Sequence, residues 1–252
     1  MRAIAWMGMS LAIVSGCAST SSQAGGEHAH GAQAVASSVP SRPAPPLPDG
    51  ALNPARGAEI GPEYEAWLSP HQEPDEEENT PALTPAVFRS TAPSQSRVQR
   101  EAAGHRAHGR VRFSRDLSRA YIDVRVEGVE ARNVNMFHIH CGRPGILGPI
   151  LVDFALATNV QENLADGTFT VELTNEHITR TVAAGHGLLG AFTAGCVIPS
   201  PSLGSLGPTR VSTIAGMAQL AAEGALYFNL HTTAQTFFGD MRGQILPVAP
   251  PR

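Results

Sequence analysis

At 252 residues and 42% apolar content, the chain has material for one ordinary core of about 100 to 150 residues, with length to spare. Its net charge of −4 arises wholly in the first hundred residues, which carry ten acidic and six basic side chains against twelve of each in residues 101–252. A neutral C-terminal part has no basic field for phosphate backbones, so nucleic acid is excluded as an expected partner.

Arg2 precedes a short apolar stretch, Ala3 to Val14, that ends in Val14-Ser15-Gly16-Cys17. A dozen residues fall short of the ~20 that span a bilayer core, so the stretch reads as the apolar part of an export signal, with residues 1–16 removed. The tetrapeptide resembles the bacterial lipobox. What that resemblance implies is cleavage before Cys17 and acylation of its sulfur and new amino terminus, several chains being needed for stable anchoring. An ordinary secretory signal with an incidental cysteine is the alternative. Ala18 stands where Asp would retain a lipoprotein at the inner membrane of enteric bacteria, so the expected location is the cell envelope, at the outer membrane of a Gram-negative cell.

Residues 17–103 read as a disordered tether. Ser, Ala, Gly and Gln come first, then twelve prolines between Pro40 and Pro93 with the acidic run Glu73 to Glu78 among them. Such sequence buries too little apolar surface to offset its ordering entropy. Within it, Gly57 to Leu68 clusters Tyr64, Trp67 and Leu68 and is expected to be a transient apolar patch, the alternative being one helical turn or a docking segment. Glu27, His28 and His30 form only a weak metal-catching pattern.

From residue 104 to 248 the pattern turns to period two with turn residues between segments, the mark of half-buried strands. Ile122, Val124 and Val126 alternate with Tyr121, Asp123 and Arg125; Phe169, Val171 and Leu173 alternate with threonines and Glu172. One helix is predicted near Ser212 to Glu223, capped by Ser212 and stopped by Gly224. Glu176 to Pro208, rich in Gly, Pro and Ser, resists assignment. The expected fold is an all-β antiparallel sandwich or flattened barrel with one short helix.

With Cys17 set aside, Cys141 and Cys196 remain. In an oxidising compartment an even remainder is expected to pair, here closing a loop of about 55 residues worth up to ~4 kcal/mol; two free thiols are the alternative. Cys141 directly follows His140, so the bridge would also brace that strand.

Alternation along Val134 to His140 puts Met136, His138 and His140 on one face, and along Tyr227 to His231 it puts Tyr227, Asn229 and His231 together. If these strands meet, His138, His140 and His231 converge, a donor set suited to copper or zinc. Alternatively the imidazoles hydrogen-bond loop backbone and merely hold the following loops in place.

Two blocks, HIHCGRPGILGPI and LYFNLHTTAQTFFGDMRGQI, closely resemble the CHRD domain, named after chordin, over about residues 104–248. The resemblance implies an immunoglobulin-like or superoxide dismutase-like β-sandwich of poorly defined biochemical activity. Copper/zinc superoxide dismutases share an H-x-H strand, a later strand histidine, a disulfide and an Arg near the C-terminus, for which Arg242 is the counterpart. His177 and His186 lack that family's loop spacing, however, and no zinc-binding Asp is evident. No catalytic residue is expected: there is no G-x-S-x-G elbow, and Asp153, Asp166 and Asp240 sit in or beside turns.

Two functional readings follow. The first is a non-enzymatic binding or structural module, displayed on the membrane through Cys17. Its loops around Gly142, Arg143, Gly145, Phe237, Phe238 and Arg242 would meet an envelope protein, glycan or matrix partner. The second is a copper or zinc site built from His138, His140 and His231.

Overall fold

The computed structural model describes residues 59–185, 195–198 and 209–248. Strands β1 (Ile60–Leu68), β2 (Arg106–Ser114), β3 (Arg119–Glu127) and β6 (Thr168–Thr174) form one antiparallel sheet with the short β11 (Leu246–Pro247), in the order β11-β1-β2-β3-β6. Strands β4 (Val134–Cys141), β5 (Ile150–Asp153), β9 (Leu226–Thr232) and β10 (Met241–Gln244) form a second, in the order β10-β9-β4-β5. A two-stranded ribbon, β7 (Val197–Ile198) with β8 (Thr209–Arg210), stands apart. The architecture is the all-β sandwich expected from the alternation.

The inner faces are supplied by the predicted apolar rows. Val111, Phe113, Ile122, Val124 and Phe169 from one sheet and Phe137, Ile139, Phe228 and Leu230 from the other are fully buried in one cluster. Phe137 sits at its centre, with ring centroids 4.8 Å from Phe154, 5.1 Å from Phe169 and 5.8 Å from Phe228. Aromatic contacts of this kind add to area burial and fix the pairing of β4 with β9. A one-residue slip there would send the histidines into this core and the phenylalanines out of it.

Cys141 and Cys196 are disulfide-bonded, with Cα atoms 5.9 Å apart. The bridge ties the end of β4 to the segment before β7.

The structure corrects the sequence reading in several places. Residues 59–103, expected as tether, are part of the fold; residues 17–58, with Cys17, His28 and His30, lie outside the described residues. Strand β1 inserts between β11 and β2, and its alternation buries Tyr64, Ala66 and Leu68 while leaving Glu63 and Trp67 exposed. The chain then crosses to the other sheet through a turn at Pro70–Gln72, helix α1 (Glu76–Asn79) and helix α2 (Arg97–Ala102). The acidic run is no solvated spacer, for Glu73 and Glu76 are 1% and 5% exposed.

The predicted helix is α5 (Ile214–Ala222), capped by Thr213 and not Ser212, with Ile214, Met217 and Ala221 buried. It is not alone. Besides the one-turn α3 (Val160–Asn163), helix α4 (Asn175–Ala184) falls where no element was assigned, opened by a capping box in which Thr174 N–H donates to His177 Nδ1 at 3.0 Å. His177 is thereby committed, and His186 lies outside the described residues. Among the described residues no helix is long and apolar enough to cross a membrane.

Candidate metal centre

Strand register builds the site. Met136 pairs with His231, His138 with Asn229 and His140 with Tyr227 across β4 and β9, so six side chains form a two-by-three grid on the face turned away from the core. Alternation of Phe137 and Ile139 against Phe228 and Leu230 on the opposite face fixes this placement. His138, His140 and His231 are all buried, and one ring nitrogen of each lies within 4.8 Å of the others.

Two of the three rings are held by a hydrogen bond from their remaining nitrogen. His140 Nδ1–H donates to the Gly148 carbonyl at 2.8 Å, and His231 Nδ1–H donates to the Thr236 carbonyl at 3.0 Å. His138 Nε2 stands 3.7 Å from Asp153 Oδ1, its cross-strand neighbour on β5. The nitrogens left over, His138 Nδ1, His140 Nε2 and His231 Nε2, have no hydrogen-bond partner. Three buried acceptors without donors are costly in a protein interior. For His140 and His231 the two readings are therefore compatible: one nitrogen anchors a loop while the other remains free to coordinate, with outer partners of the kind that orient metal-bound imidazoles.

Burial keeps the cluster neutral. It holds His138 well below the ordinary imidazole value, with His231 and His140 adding repulsion. The same desolvation lowers His140 to about 4 against the Gly148 hydrogen bond that favours its proton, and lowers His231 to about 3 with His140 repulsion adding. Burial also raises Asp153, opposed by the Ala155 N–H it accepts. At neutral pH the three imidazoles present lone pairs and no charge.

In front of the rings lies a cavity of about 310 Å³, walled by Phe88, Met136, Leu147, Ile150, Phe237 and Phe238 among others. Among the described residues bordering it there is no Asp, Glu, Lys or Arg.

The loops proposed for partner binding divide. Arg143 and Gly145 are exposed, as are Ile146 and Leu147, and Gly142 is half-buried. Phe238 is buried and Phe237 half-buried, both bordering the cavity, so they do not form an exposed apolar pair. Arg242, expected in a partner-binding loop, is 2% exposed. Its guanidinium donates to the Ile146 and Arg143 carbonyls at 3.0 and 2.9 Å and lies 3.4 Å over the Tyr227 ring, which in turn stacks on His140. Arg242 thus clamps the loop from beneath. Gly148 is required there, because a Cβ would collide with the Cys141 carbonyl oxygen.

Several positioning residues escaped the sequence reading. Asp153, read as a turn residue, caps the Phe154 turn and faces His138. Glu76 Oε1 accepts the N–H groups of Thr236 and Phe237 at 3.1 and 2.9 Å and the Ser90 hydroxyl at 2.6 Å. It fixes the very loop whose carbonyl holds His231. Glu73 accepts from Asn229 Nδ2 at 3.0 Å, and burial raises its carboxyl to about 8 although Arg242 and Arg100 favour the charged form. Arg100, itself unexposed, donates to the Gly239 and Asp240 carbonyls. Asp240, also read as a turn residue, accepts from Thr232 at 3.2 Å and pairs with His105 at 2.8 Å. The run of Glu and Pro before residue 104 carries no local signal of such contacts.

A sequence model described as the CHRD domain matches residues 88–245, more than half of the chain. No curated protein and no solved structure matches.

Proposed function

The chain belongs to the CHRD-domain family, and from that premise we propose that it is a non-catalytic binding module whose ligand is a copper or zinc ion held by His138, His140 and His231. The observation that carries this reading is the trio of buried imidazole nitrogens without hydrogen-bond partners, facing one another across a single cavity. Drawing them onto one ion at ~2.0–2.1 Å requires the rings to close by about 1 Å, within the reach of small side-chain rotations. Holding, not turnover, is favoured because, among the described residues, the cavity is bordered by no ionisable side chain that could serve as acid or base besides the donors and the engaged Tyr227 hydroxyl. Lipid attachment is carried by the Val14 to Cys17 motif alone, and its outer-membrane location by Ala18; fatty-acid labelling that persists in Cys17→Ser would refute the anchor.

The test is metal content of the purified full chain after exposure to copper or zinc, beside His138→Leu. One ion per chain is expected, and none in the variant. The metal-free variant should also be more stable by ~1 kcal/mol, since the substitution replaces a buried imidazole that makes no hydrogen bond with an apolar side chain. A variant that keeps the metal sinks the reading.

A further inference from the structure

We infer that the ion held here is copper in its monovalent state, and that Met136 supplies its fourth donor. This rests on the metal-holding reading above. The register places Met136 directly opposite His231 and two residues before His138 on the same strand face, and its side chain borders the same cavity. Most polar side-chain atoms bordering that cavity, the histidine nitrogens aside, are already engaged. Tyr227 oxygen accepts the Gly148 N–H at 3.2 Å. Thr236 Oγ1 donates to the Thr232 carbonyl at 3.1 Å and accepts from Asn135 at 2.9 Å. Asn229 sends its amide to Glu73 and the Phe238 carbonyl, while its Oδ1 has no hydrogen-bond partner and packs against Gly239. Beside that amide oxygen, a hard donor, the Met136 thioether is the soft donor left over.

Charge selects the oxidation state. Three imidazoles and a thioether bring no negative charge, and no carboxylate or cysteine borders the cavity among the described residues. The cost of bringing an ion into a medium of low dielectric rises with the square of its charge, so a monovalent ion pays about a quarter of what a divalent one does. Asp153 stands behind His138 and not in the cavity, so it offsets little of that cost for a divalent ion. Thioether sulfur is a soft donor that prefers cuprous copper to zinc. The walls of Phe88, Phe237 and Phe238 add no oxygen ligands of the kind a hard divalent ion would recruit.

The experiment uses the full chain as Cys17→Ser, which removes a stray thiolate, handled without oxygen. Cuprous ion buffered by bathocuproine disulfonate and zinc buffered by a chromophoric chelator are titrated separately. One cuprous ion should bind, more tightly than zinc, and X-ray absorption of the copper form should show a sulfur scatterer beside nitrogens. Met136→Leu should lower cuprous affinity at least about tenfold, the lower end of what outer-sphere partners alone contribute, leave zinc affinity in place and erase the sulfur signal. Tighter binding of zinc, a copper spectrum without sulfur, or unchanged cuprous affinity in Met136→Leu would each overturn the inference while leaving a metal site standing. If neither ion binds, or binding survives His138→Leu, the underlying metal reading fails as well.

Discussion

On the five-stranded sheet, the face turned away from the core is a checkerboard of charge: Arg106 pairs with Glu127, Arg112 with Asp123, Arg119 with Glu172 and His108 with Glu65. On the four-stranded sheet the equivalent face carries Met136, three histidines, Asn229 and Tyr227, and the crossover between β1 and β2 lies over it. Thr91 and Ala92 N–H groups reach the Thr233 carbonyl at 2.8 and 3.0 Å, Gln235 reaches back to the Gln95 carbonyl at 2.8 Å, and Phe88 borders the cavity. One outward face is wet and self-neutralised; the other is dry and leaves lone pairs unmatched. Water forgives imperfect pairing on the first, whereas on the second each unmatched group costs stability unless a ligand completes it.

Acid should separate the two faces most sharply. The histidines have folded-state values depressed below the unfolded ~6.5, so the unfolded chain binds more protons and stability is lost as pH falls from about 6.5 toward their folded values of about 4 and about 3 for His140 and His231. Glu73 has the opposite sign. Its carboxyl, raised to about 8, keeps its proton in the folded state, so its contribution fades as pH rises through the interval between ~4.5 and 8. By linkage, His140 and His231 together lose roughly 4 kcal/mol between pH 7 and pH 5 and Glu73 returns somewhat more than half of that, while His138 adds to the loss in the same direction, so the metal-free chain loses stability on balance. Urea unfolding as a function of pH measures this, and Glu73→Gln should steepen the loss. A flat profile across that interval would mean that the imidazoles are not held neutral by burial.

Next comes Glu76→Ala, which takes the acceptor from the Phe237 N–H and the Ser90 hydroxyl and leaves the Thr236 N–H with Ser90 Oγ alone, and should cost ~1–3 kcal/mol. It should also weaken metal binding, since the Thr236 carbonyl that orients His231 is released. Unfolding free energy and metal affinity report the two effects separately. A variant that loses stability but binds metal unchanged would show that the crossover covers the site without shaping it.

How much of this could be read beforehand follows the same division. The histidines were legible because period-two alternation is a local signal, and Phe137 and Ile139 force their neighbours to the far face whatever the rest of the chain does. The Cys141–Cys196 bridge was legible by counting. Glu73 and Glu76 were not, because a buried carboxylate is permitted only by partners such as Asn229, Thr236 and Phe237, which stand more than 150 residues away. Nothing within the run Glu73 to Glu78 distinguishes it from a solvated spacer. Much of that crossover also precedes residue 88, where the family match begins, so the family motif that marks the histidines is silent about what covers them. Arg242 misled for a related reason: an arginine beside a glycine turn looks like surface, and only the aromatic ring of Tyr227 and two carbonyls of a distant loop make its burial tolerable.

The smallest effect belongs to the open face. Arg106 and Glu127 make an ion pair with side chains 73% and 36% exposed, so the Coulomb gain is screened and the entropy of holding two long side chains offsets most of it. Arg106→Ala should therefore change stability by less than about 1 kcal/mol, with the residue shrinking further at high salt, and should leave metal affinity where it was. Unfolding at low and high ionic strength provides the measurement. A loss approaching that of Glu76→Ala would mean that the checkerboard is as tightly constrained as the histidine face, and that solvent exposure is not what sets the two sheets apart.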